Sequence, residues 1–576
     1  MTMIILGIAA PFGHDHSAAI IIDGKLVAAA EEERFTRKKH ADGERPVHAA
    51  RFCLRQAGLK PRDIDRVAFP WSFDALREKR VEYFYRTIFS KPSRAYKKFF
   101  RNRAELRGQA VFINETLVQC GFDTSRVAID WIEHHIAHVA SAYYYSGMED
   151  AAFLSIDAGG EITSTLLGIA RANILTPIKK IIAPDSLGDF YSTMTDYLGF
   201  ERGDGEYKVM GMAPFGDAAK CSMEHIIRWD EMKKTFHCND DYVWVKRSLR
   251  SRVDKIYSRK MVREFGPERT GDGLSEPYIH IAAATQKALE HISVKLIETY
   301  LKDELTRHGN LCFAGGCALN VAMNRVLLEL PYIKNLWVQP ASGDAGGSIG
   351  AAAYVAAKAG EKIAPMRHAY YGPEYSNKEI EAALRGTGYS ISLERDIAVK
   401  AARLLHDGKI FGWFQGRMEW GPRALGNRSI IGNPTVRGTA DRINAIIKFR
   451  ETWRPFCPSI LKEHAREILG SDHPAPFMTI AFKANPAWKD RIPEVIHVDG
   501  TCRPQVVDKE TNPRFHSLIS NYYRLSGVPC VINTSLNRRG EPMVCSPQDA
   551  LVMFKESGLE YLIMGDYLVK KAKEAA

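Results

Sequence analysis

No run of about 18 apolar residues occurs in the 576-residue chain, so no segment reads as a membrane-spanning helix. Low-complexity tracts are absent too, which argues against long disordered linkers. The ten cysteines include no Cys-x-x-Cys pair. The closest two, Cys312 and Cys317, have the wrong spacing for a zinc knuckle. Reduced, mostly buried thiols in a cytoplasmic protein are therefore expected. The stretch Met1–Gly7 lacks the basic start of a signal peptide and reads as a first β-strand. Negative charge is in short supply, with 68 Asp and Glu against 79 Lys and Arg and a net charge of +11.

The positive surplus is local. Between Arg77 and Arg107 there are eleven Lys and Arg against three Glu, and between Lys246 and Glu264 eight against two acids. These two stretches exceed the net charge of the whole chain, so the remainder is close to neutral. Such stripes can attract nucleic acid, acidic lipid or a phosphorylated substrate, or they can simply be solvated insertions. The first stripe also carries Tyr83, Phe84, Tyr85, Phe89, Tyr96, Phe99 and Phe100, which could pack it onto the body or line a pocket.

The chain is too long for one core, since cores stop growing near ~250–300 residues. Two domains are expected, residues 1–364 and 365–576, with an insertion at about 73–107. The stretch 361–377, with Pro365, Gly372 and Pro373, marks the junction. Near the start, apolar runs at 4–9, 18–22 and 26–30 are separated by turns, including Asp23-Gly24, a hairpin signal. The β-β-β pattern recurs at 151–156, 165–170 and 179–183. This predicts a duplicated α/β domain of the actin-like (ASKHA) type, with a nucleotide between its halves. Glycine-rich turns follow at Gly315-Gly316 and at 342–348, the second opening a helix of small residues. Such turns let a backbone approach a ligand, and helix N-termini attract anions.

The sharpest local motif is Glu133-His134-His135-Ile136-Ala137-His138, which follows an apolar strand. His134 and His138 share one face of a helix. They could hold a divalent metal if further ligands converge, and Asp157 and Asp344, each at a strand end or glycine turn, are the candidates. His135 points elsewhere, toward a supporting or substrate-side role. Gly203 to Gly211 reads as a charged glycine loop whose Lys208 suits a phosphate. The second half carries arginines in turns rich in glycine, proline and aromatics: Gly421-Pro422-Arg423, Lys448-Phe449-Arg450 with Trp453-Arg454-Pro455-Phe456, and Arg503-Pro504-Gln505. Guanidinium forks match phosphate and carboxylate. Asn533-Thr534-Ser535 ends a strand with amide and hydroxyl groups for the same ligand.

Together with His14-Asp15, the run Glu31 to His40 and Lys208-Val209-Met210-Gly211, these motifs resemble the NodU/CmcH family of carbamoyltransferases along nearly the whole chain. The resemblance implies an α/β fold of two parts. A YrdC-like C-terminal domain would make carbamoyl-adenylate from carbamoyl phosphate and ATP. A metal-dependent, actin-like N-terminal domain would pass the carbamoyl group to an acceptor hydroxyl. It implies that Arg423, Arg454, Arg503 and Asn533 hold carbamoyl phosphate. His134, His138, Asp157 and Asp344 would hold the metal, with iron implied and Mg2+ accompanying ATP. Lys208, Gly316 and Asn320 would contact the adenylate, and His14 and Lys39 would lie toward the acceptor. Within this set, His134, His138 and Arg423 would be catalytic.

The turn Pro11-Phe12-Gly13 lacks the acid that aminoglycoside-modifying members carry, and the basic insertion departs from their pattern. The acceptor class is therefore left open among sugars, polyketides and other secondary metabolites, a role in antibiotic biosynthesis included. A homodimer is compatible with the sequence, and nucleic acid is not the expected partner. Two competing readings remain. One is a threonylcarbamoyl-adenosine tRNA-modifying enzyme, in which the basic stripes bind RNA. The other is a non-catalytic nucleotide-binding scaffold, which leaves the arginine motifs without a role.

Overall fold

The computed structural model describes residues 3–9, 14–89, 92–100, 102–243, 255–448 and 451–571. The turn Pro11-Phe12-Gly13, the pair Phe449 and Arg450, and residues 246–254 of the second basic stripe lie outside the described residues. The chain divides into two units, Met1–Ala28 with Gly43–Met366, and Ala29–Asp42 with Arg367–Ala576. The short run 29–42, which the sequence reading leaves in the first domain, is thus grouped with the second unit.

The first unit holds two five-stranded sheets of one design. Strands Ile4–Ala9, Ser17–Ile22, Lys25–Glu31, Arg66–Phe69 and Ala128–Trp131 are ordered third, second, first, fourth, fifth. Strands Asp150–Ile156, Thr163–Arg171, Ile174–Ile182, Asn310–Ala314 and Asn335–Val338 repeat that order. In each sheet the first strand runs antiparallel to the second and parallel to the fourth. The duplication expected from the recurring pattern is therefore present in the strand order. The first hairpin turns at Asp23 and Gly24, both with positive φ (48° and 70°), the twist that a tight hairpin needs. The first strand of each sheet is apolar and almost wholly buried, as strands covered on both faces are.

Two helices lie at the centre of this unit. Gly347–Lys358 packs on the first sheet, His134–Ser146 packs on the second, and the two pack against each other. Gly350 allows that contact, because a Cβ there would stand 1.9 Å from the Ala137 carbonyl oxygen.

One expectation changes. The stretch 203–211 is not a loop throughout, since Glu206–Met212 is a helix. The Glu206 carboxylate accepts from Gly203 N (3.0 Å) and Ser192 Oγ (2.8 Å), which anchors the first turn. The basic insertion is helical, with helices Phe73–Thr87, Pro92–Phe100 and Asn102–Gln119. Its aromatics split in role. Tyr83 packs with Ile162, Ile182 and Ala183, whereas Tyr85 and Phe89 are 70% and 94% exposed.

The second unit is built on an eight-stranded mixed sheet. Its strands are, in spatial order, Ser390–Leu393, Tyr567–Lys570, Tyr561–Met564, Phe411–Phe414, Arg428–Gly432, Cys530–Ser535, Cys457–Leu461 and Gln505–Val507. Helices Ile397–His406 and Pro513–Ser526 pack together beside it. Among the described residues, no helix is long and apolar enough to cross a membrane. All ten cysteines are free thiols, and eight of them are buried.

Candidate metal centre and arginine pocket

The metal-ligand candidates converge at the ends of the first unit's central elements. His134 opens its helix and His138 follows one turn later. Asp157 is the residue after strand Asp150–Ile156, and Asp344 stands in the turn before helix Gly347–Lys358. One ligand atom from each of the four lies within 4.8 Å of all the others. His138 Nε2 is 3.0 Å from His134 Nε2, 2.9 Å from Asp157 Oδ2 and 3.5 Å from Asp344 Oδ1. His134 Nε2 lies 3.4 Å from Asp344 Oδ1 and 3.7 Å from Asp157 Oδ2. Neighbouring donors around an ion bonded at about 2.1 Å stand roughly 3–3.5 Å apart, so these spacings fit one shared cation. Two imidazoles with two carboxylates suit a divalent transition metal.

The electrostatics point the same way. Both histidines are buried. Burial opposes a charge on His138, yet its hydrogen bonds and charge contacts with Asp157 and Asp344 outweigh that and push its pKa up to about 9. Asp157 is held well below the usual carboxylate range, against its burial, by hydrogen bonds with His134 and His138. Two carboxylates in so dry a place demand a positive charge, which a protonated imidazole or a metal ion would supply.

Around this centre, His135 and Glu161 are both held by hydrogen bonds. His135 is buried, with Nδ1 2.8 Å from Ser155 Oγ and Nε2 2.9 Å from the Thr163 carbonyl. Burial, the largest cause, and the neighbouring histidines hold its pKa well below the ordinary value, so it is a neutral ring fixing the helix to the sheet. Glu161, which the sequence reading passed over, accepts from His134 N at 3.1 Å and from Ser72 N at 2.6 Å. Burial raises its pKa to about 7. The available signal was an acid directly after the Gly159-Gly160 turn that follows Asp157.

The other first-unit candidates are more dispersed. Gly316 stands against Asp157, where a Cβ would lie 3.1 Å from Oδ1. Asn320 caps helix Val321–Leu328 through Met323 N, and its amide pairs both ways with Gln286 at 2.8 and 3.0 Å. Lys208 lies on helix Glu206–Met212, its Nζ 5.4 Å from the Phe200 ring centroid. His14 Nδ1 is 3.0 Å from Asp15 Oδ2. Lys39 sits in the 29–42 run, which groups with the second unit.

In the second unit, sheet register brings Asn533 and Arg503 to a common neighbour, Cys457. Cys457 lies opposite Asn533 on neighbouring strands, and Arg503 donates to Cys457 Sγ from Nε (3.1 Å) and Nη2 (3.0 Å). Asn533 Nδ2 donates to Ser459 Oγ (2.9 Å), Gln505 Oε1 (3.1 Å) and the Ala424 carbonyl (3.2 Å), one residue past Arg423. Its Oδ1 is buried without a hydrogen-bond partner. Arg454 lies 3.2 Å from Glu451 Oε2, whose side chain is 1% exposed. Lys448, quoted in the sequence but given no role there, is buried. Its Nζ holds the end of the same strand through the Ser535 carbonyl (2.6 Å) and Asn537 Oδ1 (2.7 Å).

The family models described as Carbamoyltransferase N-terminus and Carbamoyltransferase C-terminus match residues 4–353 and 402–571. The chain belongs to the carbamoyltransferase family. It is therefore an enzyme of the carbamoyltransferase type. An uncharacterized protein of Synechocystis is 35% identical, covering 99% of this chain and 97% of its own. Nodulation protein NolNO of Sinorhizobium fredii is 34% identical over 97% of this chain and 79% of its own. Nodulation protein U of Rhizobium tropici is 29% identical over 92% and 90%. Among solved structures, a ROK hexokinase from Thermus thermophilus aligns with a TM-score of 0.27 at 13% identity, over 61% of this chain and 98% of its own. The HypF protein of T. kodakarensis aligns with a TM-score of 0.31 at 11% identity, over 62% and 49%.

Proposed function

We propose that this carbamoyltransferase is ATP-dependent and works in two steps. In the second unit, water hydrolyses carbamoyl phosphate to carbamate and phosphate, and the carbamate oxygen attacks the α-phosphorus of ATP, forming carbamoyl-adenylate and expelling pyrophosphate. In the first unit, a hydroxyl oxygen of a small-molecule acceptor attacks the carbamoyl carbon, its proton leaves, and AMP departs. The units correspond in this reading to a YrdC-like and an actin-like domain.

The observation that carries the first step is the buried, unpartnered Asn533 Oδ1 beside Arg503 and the Arg423 loop. An orphaned acceptor in such a place costs roughly 1–3 kcal/mol. A ligand with both an N–H donor and a phosphate would satisfy the amide and the guanidinium forks at once, and carbamoyl phosphate has both. Arg423, Arg454 and Arg503 would hold its oxygens and steady the charge that develops as phosphate leaves.

For the second step, His134, His138, Asp157 and Asp344 would hold a divalent ion, iron by family resemblance. When bound, such an ion supplies Lewis-acid polarisation of an acyl or phosphoryl oxygen. Glu161 and His135 keep the helix end rigid, so the ligand atoms stay converged. Lys208, Gly316 and Asn320 would face the adenylate, with His14 toward the acceptor.

The test is release of phosphate and pyrophosphate from ATP plus carbamoyl phosphate without acceptor. Release should require carbamoyl phosphate, collapse in Arg423→Ala and survive in His134→Ala. If carbamoyl phosphate changes nothing while threonine and bicarbonate do, the tRNA-modifying reading replaces this one.

A further inference from the structure

The run Ala29–Asp42 continues strand Lys25–Glu31 and packs within the second unit around the loop that carries Arg423. Glu31 Oε1 accepts from Gly421 N at 2.9 Å. Arg34 Nη2 donates to the Gly421 carbonyl at 3.1 Å, while its guanidinium pairs with Glu31 (3.3 Å) and Glu33 (2.9 Å). Both partners are nearly inaccessible, with side-chain exposures of 5% for Arg34 and 7% for Glu31. Phe35 packs against Met418, Ala424, Met543 and Cys545. Arg37 donates to the Pro542 and Met543 carbonyls, each at 2.7 Å.

Three residues of this run, Arg37, His40 and Ala41, have left-handed backbone (φ 60°, 60° and 49°). Such strain persists only where surrounding contacts over-determine the conformation. Gly421 itself has φ +100°, a conformation open to glycine and a natural hinge. Beyond Arg423 the loop is held a second time. Asn533 binds the Ala424 carbonyl, Gln505 binds the Leu425 carbonyl, and Glu419 Oε1 accepts from the N–H groups of Leu425, Asn427 and Arg428.

We propose that Glu31 and Arg34 are positioning residues for the anion pocket: by binding both backbone polar groups of Gly421 they remove the hinge freedom before Arg423 and fix where its guanidinium points. The inference rests on the reading of Arg423 as a carbamoyl phosphate ligand. Neither side chain touches substrate. Their effect passes through the loop, so it falls on carbamoyl phosphate and not on ATP.

The experiment compares the full-length wild type with Arg34→Met and Glu31→Leu. Each substitution keeps most of the side chain's bulk but removes its hydrogen bond to Gly421. KM for carbamoyl phosphate should rise roughly tenfold to a hundredfold, the scale of a misplaced binding group. KM for ATP and metal content should stay near wild type. If both folded variants keep the wild-type KM for carbamoyl phosphate, or if KM for ATP rises equally, the clamp is overturned while the functional reading stands. A wild type indifferent to carbamoyl phosphate overturns the functional reading and the clamp with it. Hydrogen exchange on the wild type gives a readout that needs no variant. The Gly421 amide should be strongly protected without any ligand, and fast exchange there would refute the clamp.

Discussion

The candidate metal centre of the first unit and the proposed carbamoyl phosphate site of the second would solve opposite electrostatic problems. In the first, two carboxylates and two imidazoles converge in a dry place, so the site calls for a cation. In the second, Asn533 keeps a buried acceptor without a partner, and the proposed ligand is an anion that can also donate. The means of construction differ as well. The metal ligands sit directly at the ends of a strand and two central helices, and each is aimed by its own element. Arg423 lies in a loop, and its aim depends on backbone hydrogen bonds made by other side chains. A site built on element ends tolerates little change in helix packing. One built on a loop should be sensitive to its clamps.

The largest effect expected from this contrast is a clean separation of the two half-reactions. Asp157→Ala or His138→Ala should lose stoichiometric metal by elemental analysis and lower transfer to acceptor by roughly a hundredfold or more. Pyrophosphate release should stay within a few-fold. Equal loss of both activities would break the comparison. Conversely, Arg423→Ala should cost carbamoyl-phosphate-dependent pyrophosphate release about a hundredfold, the loss of one or two charge-assisted hydrogen bonds, with metal content unchanged.

A smaller effect concerns packing. Gly350→Ala puts a methyl group against the Ala137 carbonyl and should cost about 1–3 kcal/mol by denaturant unfolding, together with weaker metal retention. Gly421→Ala forces a left-handed conformation on alanine and should cost about 1–2 kcal/mol while raising KM for carbamoyl phosphate. If each substitution disturbed both sites alike, the proposed difference in construction would fail. The smallest expected change is Glu161→Gln, which keeps an acceptor for His134 N but loses the charge. Metal affinity, measured by competition with a chelator, should fall about tenfold without loss of fold.

Much of the first unit was readable because its signals are local. The His134–His138 spacing fixes two rings on one helical face whatever surrounds them. Asp157 and Asp344 announce themselves as acids at a strand end and a glycine turn. Glu161 was missed because its role needs the chain to return past the helix start, and nothing in a one-dimensional pattern shows that Ser72 N and His134 N meet there. The helix at 206–212 is hidden from the pattern because the glycines of 203–211 suggest a loop, while the hydrogen bonds of the Glu206 carboxylate favour a helical turn.

The sequence by itself determined the alternating elements, the duplicated strand pattern, the histidine pair and the arginine-rich turns, since these follow from periodicity and residue chemistry over a few positions. Only the tertiary structure decided that two acids complete the histidine pair, that Asn533 keeps an unpaired acceptor, and that Glu31 and Arg34 clamp Gly421 from 390 and 387 residues away. Those facts depend on which backbone and side-chain groups meet across distant parts of the chain, and such meetings are settled by burial and hydrogen-bond satisfaction over the whole fold.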